Sequence, residues 1–376
     1  MAEMTPRERV MTALAHKEPD RVPVDFMGTA GCLVDTAYFA LRDYLGLEGE
    51  GREFRQGESV RHYDERVLDA LGVDFRRVWM RAPANWQPPP MEEGLSMDEW
   101  GMIRKRLGSI TPFINTPLEH ATIGDLDSYP WPDPYDPGRV EGLADEARHL
   151  RETTDYAVAA RAPLHGIYDL AHRLRGMVPF IKDMVRDKPF AAALVQKITE
   201  VQMGFYEAYL DAVGPYVDVV ETVDDYGSQQ TLLISPALFD ELIAPARTEL
   251  NALIKKKAPQ ARVFLHSDGA IFKLIPHLIE TGIDILNPVE PDAAGNDSRA
   301  LKETFGSRLV FHGHLDVKNA LRGTVEDVRA EVRRVVDGMA AGGGYIMAPT
   351  NHLLEDVPPE NIVEVFRYAH DYGRYG

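Results

Sequence analysis

Val263-Phe264-Leu265-His266-Ser267-Asp268-Gly269 reads as a buried strand that runs out into polar residues. A β-branched and apolar run packs in a sheet, and the imidazole and carboxylate that follow it emerge where an α/β protein carries its chemistry. The same residues also suit a helix N-terminus, with Ser267 or Asp268 capping the N–H groups of Ala270 to Leu274 and His266 held as a bonded core histidine. The rest of the chain decides how much weight the first reading bears.

Working outward, apolar runs alternate with amphipathic helical periods. The strand candidates are Val22-Pro23-Val24-Asp25-Phe26, residues 73–80, 157–160, 217–220, 263–265, 283–286, 309–311 and 345–348. Helical periods fall at 33–45, 60–71, 236–257 and 325–339, and Thr5-Pro6 has the cap and first-turn proline that start a short helix at the N-terminal end. Eight such units with parallel crossovers predict one α/β domain over residues 1–376, a closed (β/α)8 barrel with an N-terminal extension. The stretch 83–137, which holds Pro88-Pro89-Pro90 and Tyr129-Pro130-Trp131-Pro132, keeps no period and is expected to be a Pro/Trp-rich insertion at the rim. An open doubly wound sheet is the competing fold, but Met27-Gly28-Thr29-Ala30-Gly31 lacks the glycine spacing of a dinucleotide turn. Gly342-Gly343-Gly344 precedes a strand rather than following one and reads as a helix-to-strand turn.

Bulk composition excludes several classes. With 59 acidic against 41 basic residues the formal charge is −18, so nucleic acid and anionic membrane are poor partners. The N-terminal residues carry no apolar leader and no run is long enough to span a bilayer, which leads us to expect a cytoplasmic protein. One cysteine, Cys32, allows neither an intrachain disulfide nor a site built on two thiolates.

In a barrel the residues after each strand converge on one face. Those residues are Asp25; Arg161 and His165; Glu221, Asp224 and Asp225; His266 and Asp268; Asn287 and Glu290; His312 and His314; Asn351 and His352. Such a set suits three uses: a metal site with an open position, general acid and base catalysis without metal, or recognition of a polar ligand by a barrel that does no chemistry. The spacings H-E-x-x-H, G-x-S-x-G and G-x-x-x-x-G-K are absent, which demotes zinc-protease, serine-hydrolase and nucleotide chemistry.

Pro6-Arg7-Glu8-Arg9-Val10 with Arg21-Val22-Pro23-Val24, Tyr129-Pro130-Trp131-Pro132, Asp224-Asp225-Tyr226-Gly227, Ser235-Pro236, His266-Ser267-Asp268-Gly269, Gly313-His314-Leu315-Asp316 and Asp356-Val357-Pro358-Pro359-Glu360-Asn361 together resemble the uroporphyrinogen decarboxylase superfamily, in order along nearly the whole chain. The resemblance implies a (β/α)8 barrel and either of two activities: decarboxylation, or methyl transfer between small substrates, corrinoid proteins and thiols. The sequence departs from both patterns. Decarboxylases of the family carry an R-Q-A-G-R segment where this chain has Met27 to Cys32, so binding a polycarboxylate there is electrostatically unfavourable. Thiol methyltransferases of the family hold zinc with H-x-C and a later cysteine, where this chain reads His266-Ser267-Asp268 and Asn351.

The reading favoured by these departures is an enzyme that demethylates a small methylated substrate and passes the methyl group to a corrinoid protein. Its expected catalytic residues are His266, Asp268, Asp225, Asn351 and Asp25, with Arg161, Asp224, Asn287, His314 and His352 binding substrate. Zinc held without cysteine by Glu221, His266 and Asp268 is the expected metal, and self-association as a homodimer is compatible with such a barrel. The alternative is a cofactor-free decarboxylase of uroporphyrinogen or another small carboxylate, with Asp25 or Asp225 stabilising the protonated intermediate. Arg161 is the one arginine expected at a strand end, with Arg21 and Arg81 at the rim.

Overall fold

The computed structural model describes residues 3–54, 59–108 and 111–376. Seven parallel strands form one curled sheet in the spatial order Tyr345–Pro349, Val310–Leu315, Ile285–Pro288, Arg262–Ser267, Val219–Val223, Ala157–Ala160 and Phe75–Val78. The ring is closed by the first expected strand. Asp25 N–H donates to Met347 O and Met347 N–H to Pro23 O, both at 2.9 Å, while Asp74 N–H reaches Val24 O at 3.0 Å on the other side. Pro23 has no N–H to continue a ladder, so this eighth element is reduced to a bridge at Val24.

Several strands run further than their apolar cores suggest. His266, Asn287 and His312 are strand residues, and they stand in adjoining register on three neighbouring strands. The expected helix at 60–71 begins only at Glu65, after His62–Tyr63 pairs with Arg52–Glu53, because Asp64 caps it by accepting Arg66 N–H. The N-terminal helix Pro6–Leu14 has a Thr5/Glu8 capping box and packs under the N-terminal ends of the strands, where Arg7 N–H donates to Asp155 O and Gly344 N–H to Ala13 O. Beyond the strands' other ends, the 83–137 segment contributes an antiparallel hairpin, Leu95–Met97 with Ile103–Lys105, and buries Trp100 and Met102. Among the described residues no helix is long and apolar enough to cross a membrane.

Candidate active site

Two loops build the floor of a cleft at the C-terminal ends of the strands. After Val219–Val223, Asp224 N–H donates to His266 O at 2.8 Å, and Tyr226 N–H to Ser267 Oγ at 3.1 Å. Gly227 and Gly269 then cross in contact. A Cβ on Gly269 would lie 2.5 Å from Gly227 C, and its φ of +87° is one that side chains disfavour. This approach sets Asp225 against Asp268, whose N–H donates to Asp225 Oδ1 at 3.0 Å. Glu290 clamps the same loop by accepting Gly269 N–H at 3.1 Å.

His266 faces both carboxylates, its Nε2 lying 3.8 Å from Asp225 Oδ1 and 3.7 Å from Asp268 Oδ1. Burial alone would favour the neutral ring, but the two carboxylates outweigh it and lift the His266 pKa to about 10. Burial, aided by Asp268 against the opposing pull of His266, raises Asp225 to about 6. The group is short of positive charge: two carboxylates share one imidazole.

A chain of side chains fixes the other side of His266. The Asn287 amide nitrogen donates to His312 O at 3.3 Å, a carbonyl that can only accept, and lies 2.8 Å from His312 Nδ1. The Asn287 oxygen therefore faces His266 Nδ1 at 2.6 Å and accepts its N–H, which leaves Nε2 for the cleft. His312, accepting at Nδ1, donates from Nε2 to Asp25 at 2.8 Å. Asp25 pairs with buried Arg77, and Arg77 Nε donates to Glu221 at 2.9 Å.

The donor set fits a divalent cation. Asp225, His266 and Asp268 each offer one ligand atom, and these atoms lie within 4.8 Å of one another. Asp268 Oδ1 is buried without a hydrogen bond, and the imidazole is held by an amide in the manner of metal-ligating histidines. An oxygen-rich set of this kind suits zinc in a harder, more Lewis-acidic form than a thiolate site.

Above this floor the cleft encloses about 820 Å³. Phe54, Trp79, Trp100 and Met102 supply apolar wall, Arg161 and His352 lie on one side, and Arg104, Phe113, His165, His172 and Arg173 line another. On that second wall buried Asp169 accepts from His165 Nδ1 at 2.9 Å, His172 Nε2 at 3.0 Å and Arg173 Nε at 2.8 Å.

The structure brings Asp225, His266, Arg161 and His352 to the cleft, sets Asp268 beside the first two, and reassigns other expected residues. Glu221 lies apart from the triad, bonded to Arg77 and Thr29, and Asp225 stands in its place beside His266 and Asp268. Asp25 lies below the floor, fully buried, its pKa held far below the usual range by Arg77 and His312 despite desolvation. Asp224 points the opposite way from Asp225 and caps the helix Ile167–Arg175 by accepting N–H from Tyr168 at 3.2 Å and Asp169 at 2.9 Å. Asn287 orients His266 from within the barrel rather than facing the cleft. Asn351 accepts the His352 N–H at 2.7 Å and so shapes the turn that presents His352.

His314 is turned away altogether. Strand alternation would put it on the same face as His312, but Gly313 at φ +110° and His314 at φ +65° break the alternation. Its ring bonds Val289 O and Ser298 Oγ, both at 2.6 Å, and burial lowers its pKa to about 4. Arg21 sits at the opposite end of the barrel with Asp74, and Arg81 pairs with Glu146, whereas Arg104 and Arg173 supply cations that strand-end reading missed. The spacing His165-Asp169-His172-Arg173, a carboxylate with partners four before and three and four after, was the available signal for the second wall. For Arg77 it was an arginine inside an apolar strand, which demands a buried partner.

Residues 103–372 match the uroporphyrinogen decarboxylase (URO-D) family. The chain is similar to a uroporphyrinogen decarboxylase of Geobacter sulfurreducens, 26% identical over 379 residues that span 96% of this chain and 98% of the relative. A uroporphyrinogen decarboxylase of Geobacter metallireducens is 25% identical over 376 residues, spanning 96% of this chain and 98% of that one. Among solved structures the fold is similar to that of a methyltransferase from Methanosarcina mazei, with a TM-score of 0.66 at 17% identity, covering 98% of this chain and 99% of that chain.

Proposed function

The chain belongs to the uroporphyrinogen decarboxylase family, and from that premise we propose that it is a methyl-transfer enzyme that demethylates a small methylated molecule and hands the methyl group to a corrinoid protein. The observation that carries this reading is the Asp225-His266-Asp268 donor set on the cleft floor, with His266 Nε2 turned toward the carboxylates by Asn287. Zinc bound there would supply Lewis acidity toward the heteroatom that bears the methyl group. Asp225 and Asp268 provide the negative charge that retains a dication, and Trp79, Trp100 and Phe54 keep water from the substrate's apolar body. In the transfer the carbon–heteroatom bond breaks with both electrons staying on the heteroatom, which solvent protonates. The electron pair of the new cobalt–carbon bond comes from the reduced, Co(I) state of the corrinoid. The name of the Methanosarcina mazei protein of like fold is in keeping with this reading.

The curated relatives are named decarboxylases, and that is the second reading. Two features speak against it. Asp25, one of the two carboxylates expected to stabilise a cationic intermediate, is already neutralised by Arg77, and Met27 to Cys32 contain no arginine of their own. Purified protein loaded with zinc and given cob(I)alamin with a panel of methyl ethers, amines and thioethers should form methylcobalamin with at least one of them. His266→Ala should abolish that product. Anaerobic conversion of uroporphyrinogen to coproporphyrinogen, lost in Asp225→Asn, would establish the decarboxylase instead.

A further inference from the structure

One imidazole on the second wall of the cleft is held differently from the others. His165 lines the cavity just before the helix Ile167–Arg175, and backbone contacts fix its place. Gly166 packs on the strand end that leads to Asp225, where a Cβ would lie 2.0 Å from Val223 O. Asp224 accepts the N–H of Asp169 at 2.9 Å and so ties the first turn of the helix to the same loop. His165 therefore stands at the edge of the floor that carries Asp225 and His266. The charge of Asp169 reaches that floor, since it joins burial and Asp268 in raising the Asp225 pKa against His266.

Proton positions follow from the partners. Burial raises the Asp169 pKa, but His165, His172 and Arg173 outweigh it and hold the group well below the usual carboxylate range, so Asp169 can only accept. His165 Nδ1, 2.9 Å from Asp169 Oδ2, therefore carries a proton. Burial, with Arg173 and Arg104 and against the pull of Asp169, lowers the His165 pKa, so at pH 7 the ring is neutral and Nε2 bears a lone pair. The other contacts of His165 among the described residues are the Phe113 ring and, through its carbonyl, Gln202, and neither is a hydrogen bond to Nε2. The remaining imidazoles of the cleft are in other states. His172 turns Nε2 toward Asp169 at 3.0 Å, His352 accepts the Cys32 N–H at Nδ1, and His266 is held as the imidazolium.

We propose that His165 Nε2 is the acceptor of a substrate hydrogen bond, so that the molecule bound in this cleft carries a neutral donor, a hydroxyl or N–H group, alongside its methylated atom. A lone pair in a partly enclosed cavity is left unpaired when a ligand without a donor displaces water from it, and that loss separates ligands of one shape. Asp169 behind the ring fixes the tautomer and polarises the imidazole toward a stronger acceptor. Trp79 and Trp100 in the same cavity suit a flat, apolar body for the rest of the molecule. The inference rests on the methyl-transfer reading only for the methylated atom, since binding alone tests the acceptor.

The probes are phenol, uncharged at pH 7, and fluorobenzene, which has its shape without the donor. Titrated calorimetrically into metal-free wild type, phenol should bind saturably and fluorobenzene about tenfold more weakly or worse, the cost of one unmet acceptor. His165→Phe, which keeps a ring beside Phe113, should bind the two about equally. His149→Phe, on the exposed side of the helix Leu143–Thr153, should keep the preference. Should His165→Phe fail to fold, nitrogen NMR of wild type with isotope-labelled histidine decides. Phenol should shift the Nε2 signal of a neutral ring protonated at Nδ1, a state that His172, His266 and His352 do not share, and fluorobenzene should not. Equal binding of the two probes by wild type, no saturable phenol binding, a preference that survives in folded His165→Phe, or an unmoved Nε2 signal overturns the proposal. A phenol preference that His165→Phe removes, in a protein that turns over no methylated compound, would leave the acceptor standing and remove the methyl-transfer reading.

Discussion

The two ends of this barrel hold ionic clusters of opposite character. At the N-terminal end Asp74, fully buried, accepts from Arg9 at 2.6 Å, from Arg21 at 2.9 and 3.0 Å and from Val24 N–H at 2.8 Å, while Asp20 pairs with Arg9 at 2.7 and 2.8 Å. Each carboxylate there has a cation. At the C-terminal end Asp225 and Asp268 share one imidazole, and Asp268 Oδ1 is buried without a bond. The first arrangement holds the N-terminal extension to the closure of the ring. The second leaves negative charge in excess, which a bound cation or a proton on Asp225 relieves.

The largest effect expected from this contrast is at the lower cluster. Asp74→Asn leaves Arg9 and Arg21 without their buried counter-charge and should cost about 3–5 kcal/mol in urea unfolding, with zinc affinity of the surviving folded protein unchanged. A loss below about 1 kcal/mol, the worth of a surface pair, would remove the distinction between the ends.

Next is Asn287→Ala, which frees His266 Nδ1 without touching a donor atom of the triad. Zinc affinity should fall about 10- to 100-fold, as for other outer partners of ligating histidines, with the cleft otherwise intact. An affinity equal to wild type would separate the amide from the triad.

The smallest effect is in the pH dependence of the metal-free protein, where Asp20 and Asp225 should respond in opposite directions. Asp20 is brought down to about 2, burial being outweighed by Arg9, so its stabilisation is present above its unfolded value and lost as pH falls from about 4 to 2. Asp225 and His266 are both raised, to about 6 and about 10. The carboxyl of Asp225 therefore costs stability as pH rises from about 4 through 6, and the imidazolium of His266 loses its contribution as pH rises from about 6.5 through 10. Asp225→Asn should raise stability at pH 7 by on the order of 1 kcal/mol, after allowance for its partly exposed side chain, and should flatten the profile between pH 4 and 6. Thermal unfolding across that range checks both slopes, and an unchanged profile would contradict the account of the upper cluster.

Much of this architecture was legible from residue order alone. Apolar runs with period-two or continuous burial marked eight strand positions, and His266-Ser267-Asp268 with Asp224-Asp225 marked the loops that meet at Gly227 and Gly269. What escaped was direction. Asp224 and Asp225 are neighbours that point apart, and Gly313 and His314, both at positive φ, reverse the face on which His314 falls, a turn of the backbone no periodicity encodes. Contacts distant in sequence escaped as well: Arg77 takes Asp25 and Glu221 out of the cleft, and the insertion carries Arg104 into it. Those depend on which strands become neighbours, a property of the closed ring.

The most direct test of the account is equilibrium dialysis of zinc against wild type, Asp268→Asn, Glu221→Gln and Cys32→Ser. The account predicts one zinc per chain in wild type, Glu221→Gln and Cys32→Ser, and its loss in Asp268→Asn, because the donors are Asp225, His266 and Asp268. Zinc retained in Asp268→Asn, or a wild-type protein that takes up none, would contradict it.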